Sequence, residues 1–148
     1  MKSISEIISS LPYKAPFLFV DDLLEIDQES CTGTYSVREN EYFFEGHFPG
    51  NPVVPGVILT EIMAQIGLVC FGIYLKDSPS PLLPAFTNAN IDFLVNVKPG
   101  DELIIVSKKI YFRFNKLKCH ITCSLKSGTV VARGECSGML INREIEKT

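Results

Sequence analysis

The chain has 148 residues, of which 46% are hydrophobic and 21% are charged. This length can close a hydrophobic core and this composition excludes a disordered chain, so a single folded domain is expected over residues 1–148. The net charge of −3 does not suggest a nucleic-acid partner, and none is expected.

The N-terminal stretch MKSISEIISSLPYKAP has no apolar run of signal-peptide length and no small-residue cleavage site, which favours a cytoplasmic location. The five cysteines, at positions 31, 70, 119, 123 and 136, are odd in number and form no CxxC motif. They are therefore predicted to be free, buried thiols with no redox or metal role.

The predicted elements begin with a short amphipathic helical turn at residues 4–10. Two strands rich in aromatic and branched residues are expected at 17–27 and 31–39, before a loop rich in glycine and proline. An apolar helix at 57–75 follows, and the prolines of KDSPSPLLP indicate a loop after it. The sequence after this loop predicts strands at 85–95, 102–114, 117–126 and 129–140, separated by turns at KPGDE, Asn115–Lys116 and Ser127–Gly128.

The helix at 57–75 is apolar on almost every side, so other elements must enclose it. The strands before and after it can supply one curved antiparallel sheet that wraps around it. Glu61 and Gln65 argue against a membrane span, because a carboxylate at bilayer depth is energetically costly. The prediction is an α+β fold with this helix as its core, and exposed edge strands that favour edge-to-edge dimerisation.

Charge is unevenly distributed along the chain. Between Leu103 and Gly134 there are seven basic residues and no acidic one: Lys108, Lys109, Arg113, Lys116, Lys118, Lys126 and Arg133. Such segregation is typical of a basic surface for an acidic partner, and equally of a solvated strand face without a partner.

The segment GHFPGNPVVPG, residues 46–56, places three prolines and three glycines around His47. The prolines fix φ and the glycines allow tight turns, so the loop is expected to hold the imidazole rigidly. The chain then enters the helix at Pro55–Gly56, where the first N–H groups lack a partner within the helix. The N–H groups of Gly56 and Val57 can therefore donate to a ligand carbonyl, as an oxyanion site does.

Glu61 lies in the second turn of the predicted helix, among apolar residues. Burial raises the pKa of a carboxyl group, which can then act as a general acid. Gln65 follows four residues later on the same helix face, so its amide can orient that carboxyl group. An imidazole supplies the complementary base, and a dimer can bring His47 of one copy to Glu61 of the other.

These residues also have plain structural interpretations. A histidine in such a loop is often structural or merely exposed, and a buried glutamate can simply satisfy backbone groups or a neighbouring subunit. A metal site is not expected, because His120 lies on a strand among lysines and no second ligand has metal-binding spacing from His47. The close succession of a base, a helix start and an acid with an orienting amide supports a catalytic site, but the residues alone leave the structural interpretations open.

The same residues resemble a family signature. FEGHFPGNPVVPGVILTEIMAQ resembles that of the β-hydroxyacyl-[acyl-carrier-protein] dehydratases of the hotdog fold, where H-F-P-G-x-P-x-x-P-G precedes a helix bearing E-x-M-A-Q. LPYKAPFLFVDDLLEID and FLVNVKPGDEL resemble further blocks of that family. The blocks span residues 7–106, with a looser strand pattern to about 140.

The resemblance implies a hotdog domain, in at least a homodimer, with its active site at the dimer interface beside a hydrophobic acyl tunnel. It implies dehydration of a (3R)-3-hydroxyacyl thioester to the trans-2-enoyl thioester, in fatty-acid or related acyl-chain (for example polyene) biosynthesis. His47 would remove the C2 proton and Glu61 of the other copy would protonate the 3-hydroxyl. The substrate-binding residues would be Gly56, Val57, Gln65 and Phe48. No cofactor or metal would be needed, and acidic acyl carrier protein would be the partner of the basic segment.

The sequence departs from the family pattern in two places. Tyr13-Lys14-Ala15 stands where the family commonly has His-Arg-Tyr, and Asp92 stands before Phe93 where many members carry arginine. Both changes bear on tunnel shape or carrier docking, so they leave the acyl substrate open. The alternatives are a hotdog acyl thioesterase and a non-catalytic acyl-binding subunit of a hetero-oligomeric dehydratase. A paired His47 and Glu61 favours the dehydratase over both.

Overall fold

A six-stranded antiparallel sheet wraps around one long helix in the computed structural model, which describes residues 1–142. The strand order is β1-β2-β4-β5-β6-β3, so β1 and β3 form the two edges. A short 3₁₀-helix, Tyr42–Glu45, precedes the long helix. The elements are α1 (Ile4–Ser9), β1 (Asp22–Ile26), β2 (Ser30–Ser36), α2 (Gly56–Lys76), β3 (Leu82–Phe93), β4 (Glu102–Arg113), β5 (Lys116–Leu125) and β6 (Val130–Asn142).

The predicted order of two strands, one helix and four strands is confirmed, with corrections to several bounds. The second strand, expected to reach residue 39, ends at Ser36, after which the N–H of Val37 donates to the carbonyl of Asp101 in the turn before β4. Residues 17–21 were expected to belong to the first strand but lie outside it. The backbone groups of Phe17 and Phe19 bond to the side chain of Gln65 on α2, and within this stretch only the N–H of Asp21 donates to β2, at Thr34. The loop predicted through KDSPSPLLP ends earlier, since β3 begins at Leu82. The β4–β5 turn is centred on Phe114 and Asn115, both with positive φ, one residue before the expected position.

The sheet covers α2 with alternate side chains of its strands. On β4 the buried positions are Leu103, Ile105 and Ser107, and β5 buries Cys119, Ile121 and Cys123 in the same alternation. This period of two places the apolar residues on the helix side of the sheet. The helix core is thereby removed from water.

Helix α2 changes its winding in the middle. Gly56–Ala64 is α-helical, Gln65–Cys70 is π-helical, and Phe71–Lys76 is α-helical again. Within the π-helical part, the hydroxyl of Ser107 on β4 donates to the carbonyl of Gly67 over 2.9 Å. A Cβ at Gly67 would lie 2.7 Å from Cδ1 of Ile121, so glycine permits this close approach of helix and sheet.

All five cysteines are free and buried, as predicted. Burial raises the pKa of Cys31 and Cys123 to about 12, and that of Cys119 and Cys136 to about 11. The thiols are therefore protonated at physiological pH and pack as small apolar groups.

By length and composition alone, α2 is apolar enough to cross a membrane. Its most apolar window is 72% buried inside the fold, which is typical of a core helix. The first turn differs: Gly56 and Val57 are exposed, with Val57 at 79%. Among residues 1–142 the Phe93 ring of β3 approaches Gly56 but Val57 stays open to solvent, so the expectation that the sheet encloses the whole helix is wrong for this turn.

Candidate active site

The loop before α2 fixes His47 through its own backbone. The N–H of Val53 donates to the carbonyl of His47 over 3.0 Å, and Phe48 and Asn51 exchange backbone hydrogen bonds of 3.0 and 2.8 Å. Nδ1 of His47 lies 2.9 Å from the carbonyl of Val53. Because a carbonyl only accepts, Nδ1 must carry the proton, and a neutral ring then presents its Nε2 lone pair as a base.

Phe48 lies on the solvent side of this base. Its ring stacks on His47 with 4.0 Å between centroids and is 50% exposed. An exposed ring beside the base provides an apolar surface for a substrate or a second copy of the chain.

The helix start leaves two backbone donors free. Ile58 and Leu59 both donate to the carbonyl of Pro55, but within residues 1–142 the N–H groups of Gly56 and Val57 have no such bond. The ring of Phe93 on β3 lies 3.4 Å from the point where a Cβ of Gly56 would be. Gly56 thus keeps its exposed N–H beside an aromatic wall, in the position expected of an oxyanion donor.

Glu61 is held by Gln65, as the spacing predicts. Nε2 of Gln65 donates to Oε2 of Glu61 over 3.0 Å. Burial raises the pKa of Glu61, and the hydrogen bond from Gln65 opposes this by favouring the charged form. The net shift is upward, toward the range in which a carboxyl group serves as a general acid.

Gln65 also holds a segment far away in sequence. Its Oε1 accepts from the N–H of Phe19 over 2.8 Å, and its Nε2 donates to the carbonyl of Phe17 over 3.0 Å. These partners define which amide atom is oxygen and which is nitrogen. Because Gln65 is fully buried, its influence on a substrate passes through Glu61.

Glu61 opens onto an apolar cavity of about 320 Å³ between α2 and strands β3, β5 and β6. Much of its wall consists of Phe17, Leu68, Val69, Phe86, Leu117 and Leu140. A carboxyl group on the wall of such a cavity is the arrangement that acid catalysis on an apolar chain requires.

One chain does not unite the expected catalytic pair. Among the described residues, His47 is not part of the cavity lining and no hydrogen bond joins its ring to Glu61. Meanwhile the edge strand β3 exposes residues 85–90, and the first turn of α2 is uncovered. One chain therefore leaves His47 and Glu61 unconnected, and this side of the molecule exposed.

The basic segment is partly neutralised. Lys109, Lys118 and Lys126 form ion pairs with Glu29, Glu135 and Glu102, at 3.9, 3.3 and 3.5 Å. Within residues 1–142, no ion pair is formed by Lys108, Arg113, Lys116 or Arg133. In the same range no three His, Cys, Asp or Glu side chains are arranged to hold a metal ion.

Two residues of the site were not predicted from the sequence. Tyr13 lines the cavity with Glu61, and Phe93 packs on the helix start. Tyr13 stood out only as a departure from the family pattern, and nothing local in the sequence indicates that it faces Glu61.

Comparison with known proteins identifies the family. The model of the FabA-like domain matches residues 11–135. A 3-hydroxyacyl-[acyl-carrier-protein] dehydratase FabZ of Caldicellulosiruptor saccharolyticus is 39% identical over 91% of this chain and 96% of that protein. The FabZ of Fusobacterium nucleatum is 43% identical over 70% of this chain and 73% of that protein.

Solved structures confirm the predicted hotdog fold. The dehydratase heterocomplex ApeI:P of Xenorhabdus doucetiae is similar with a TM-score of 0.78 at 16% identity, covering 93% of this chain and 92% of that one. A thioesterase of Haemophilus influenzae has a TM-score of 0.68 at 12% identity, covering 96% and 92%. At these sequence identities the structural similarity supports the fold and does not indicate the function. By its matched domain and its FabZ relatives, the chain belongs to the FabA-like family of 3-hydroxyacyl-[acyl-carrier-protein] dehydratases.

Proposed function

We propose that this chain, acting as a single domain, dehydrates a (3R)-3-hydroxyacyl-[acyl-carrier-protein] to the trans-2-enoyl thioester in fatty-acid biosynthesis. The observation that carries the proposal is Glu61, a carboxyl group with a raised pKa on the wall of an apolar cavity. An engineered cavity of roughly 150 Å³ holds benzene, so about 320 Å³ provides room for an acyl chain on the order of ten carbons.

His47 and Glu61 divide the reaction between them. Nε2 of His47 takes the C2 proton, and the electron pair of that C–H bond forms the C2–C3 double bond. The C3–O bond breaks, and the proton of Glu61 goes to the departing oxygen, which leaves as water. The N–H of Gly56 donates to the thioester oxygen as negative charge builds on it. Val57 and Phe48 border the thioester, and Gln65 orients Glu61.

The complete site needs two copies of the chain. Within residues 1–142 of one chain His47 does not line the cavity that holds Glu61, whereas Ala85 and Phe86 on the exposed edge of β3 do line it. Pairing of two β3 edges satisfies their free backbone groups and covers this side of the site. We therefore infer a homodimer in which each copy contributes a base to one site and an acid to the other.

The carrier protein is inferred to dock through charge. Lys108, Arg113, Lys116 and Arg133 form no ion pair within residues 1–142, and unpaired cations attract an acidic partner. A cytoplasmic location, where acyl carrier protein is loaded, fits this role.

The test is turnover by the purified protein. It is incubated with a (3R)-3-hydroxydecanoyl carrier protein, and the products are identified by mass spectrometry. We expect the enoyl thioester, and we expect His47→Ala and Glu61→Ala each to reduce kcat by about 100- to 10,000-fold while both remain folded. His120→Ala and Glu25→Gln, at exposed positions on β5 and β1, serve as controls and retain activity.

Three results would contradict the proposal. Full activity of His47→Ala or Glu61→Ala would contradict the catalytic roles assigned to these residues. Release of free acid and thiol identifies a thioesterase. A protein that is inert alone and active only with a second subunit identifies a non-catalytic partner of a heteromeric dehydratase.

A further inference from the structure

Two hydrogen-bonding side chains line the cavity, those of Glu61 and Tyr13. The other lining residues are proline, glycine, alanine, aliphatic residues, phenylalanine and methionine. Within residues 1–142 the Tyr13 hydroxyl makes no hydrogen bond. Glu61 accepts a hydrogen bond from Gln65 through Oε2, and its Oε1 accepts none in the same range. The cavity thus contains a free donor on Tyr13 and a free oxygen on Glu61.

Tyr13 is held in place by the contacts that hold Glu61. Its ring packs against Phe17 at 6.4 Å between centroids, and the N–H of Phe17 donates to the carbonyl of Lys14 over 2.9 Å. The carbonyl of Phe17 in turn accepts from Gln65, the same side chain that orients Glu61. One buried amide therefore sets both polar groups relative to each other.

The Tyr13 hydroxyl is a donor that does not ionise in the working range. Burial, and then the nearby charge of Glu61, raise its pKa well above the ordinary tyrosine value. When an acyl chain fills the cavity and displaces water, a hydroxyl without a partner loses its hydrogen bonds, which is unfavourable. A substrate oxygen beside Glu61 removes that penalty.

We propose that Tyr13 is a further catalytic residue, whose hydroxyl donates a hydrogen bond to the 3-hydroxyl oxygen of the substrate while Glu61 protonates that oxygen. This role rests on the proposed function. In the step, the C3–O bond breaks, its electron pair stays on oxygen, and Glu61 supplies the proton that completes water. Tyr13 keeps its own proton throughout and stabilises charge on the departing oxygen.

The test separates recognition of the 3-hydroxyl from packing. In a His47→Ala background, in which turnover is slowed enough to measure binding, the affinities for 3-hydroxydecanoyl-pantetheine and for decanoyl-pantetheine are measured by calorimetry with and without Tyr13→Phe. We expect the phenylalanine variant to weaken binding of the 3-hydroxy ligand by about 10-fold and to leave the decanoyl ligand unchanged. As a single substitution in the otherwise unchanged protein, Tyr13→Phe is expected to lower kcat by about 10-fold or more. Tyr111→Phe, on β4 and outside the cavity lining, serves as the control.

The outcomes distinguish this inference from the proposed function. Full turnover by the His47→Ala protein refutes the proposed function and this inference with it. If turnover of that protein is slowed as expected, and Tyr13→Phe weakens the binding of both ligands equally or of neither, then Tyr13 only packs against the chain and the inference is refuted alone. Circular dichroism establishes that each variant is folded.

Discussion

Replacing Gln65 by methionine tests the link between the helix and the N-terminal segment. Methionine has a similar volume and no hydrogen-bonding amide, so it fills the space and removes three hydrogen bonds. The N–H of Phe19 is left buried without an acceptor, which costs about 1–3 kcal/mol. The carbonyl of Phe17 belongs to a residue that is 38% exposed, so water replaces its lost donor at about 0–1 kcal/mol.

The expected loss for Gln65→Met is therefore about 1–4 kcal/mol in the free energy of unfolding, measured by urea denaturation followed by circular dichroism. Ile62→Val, at a fully buried neighbouring position, removes one methyl group and serves as the control, at about 0.5–1.5 kcal/mol. A loss below about 1 kcal/mol for Gln65→Met would refute the reasoning, since it would mean that the N–H of Phe19 does not depend on Gln65.

The same substitution also moves the titration of Glu61. The hydrogen bond from Gln65 lowers the pKa of Glu61 against the larger effect of burial, so its removal raises that pKa further. A general acid must be protonated, and activity falls as pH rises through its pKa. The alkaline limb of kcat is thus expected at higher pH in Gln65→Met, and a shift to lower pH would contradict the assignment.

The remaining predictions concern stability. Because the pKa of Glu61 is raised in the folded state, the folded state binds more protons than the unfolded state, and stability falls as pH rises from the ordinary glutamate pKa of 4.5 through the raised value. Glu61→Gln is therefore expected to raise Tm at pH 8 and to have no such effect at pH 4, whereas Glu25→Gln, at an exposed position, shows no comparable gain; a lower Tm at pH 8 would contradict the shift. Gly67→Ala places a Cβ 2.7 Å from Ile121 and 3.1 Å from Ser107, so we expect a loss of about 1–3 kcal/mol in urea, although alanine favours helices. Gly46→Ala, where the added Cβ has no atom within 4 Å, is its control, and equal losses for the two would refute the packing argument.

The sequence predicts what depends on local periodicity. Strands β4 and β5 alternate apolar and polar residues, and Glu61 and Gln65 lie four residues apart, so their positions follow from strand and helix geometry. The turn before Asp101 is also local, because Gly100 adopts the positive φ of 87° that this turn requires.

The rest depends on contacts between distant residues. The hydrogen bonds of Gln65 to Phe17 and Phe19 join residues 48 and 46 positions apart, and they hold the backbone of these two residues on the helix despite their strand-like composition. The placement of Tyr13 beside Glu61 follows from the same contacts. The proposed meeting of His47 with Glu61 would involve a second chain, which no periodicity within one chain encodes.

The five buried thiols allow the opening of the native protein to be followed by alkylation of its own cysteines. They lie on β2, α2, β5 and β6, so they sample the helix and the strands that cover it. An alkylating reagent needs a thiolate and access, and burial denies it both until the chain opens. The rate at which each cysteine is alkylated then reports the free energy of the opening that exposes it, and no cysteine has to be introduced by mutation.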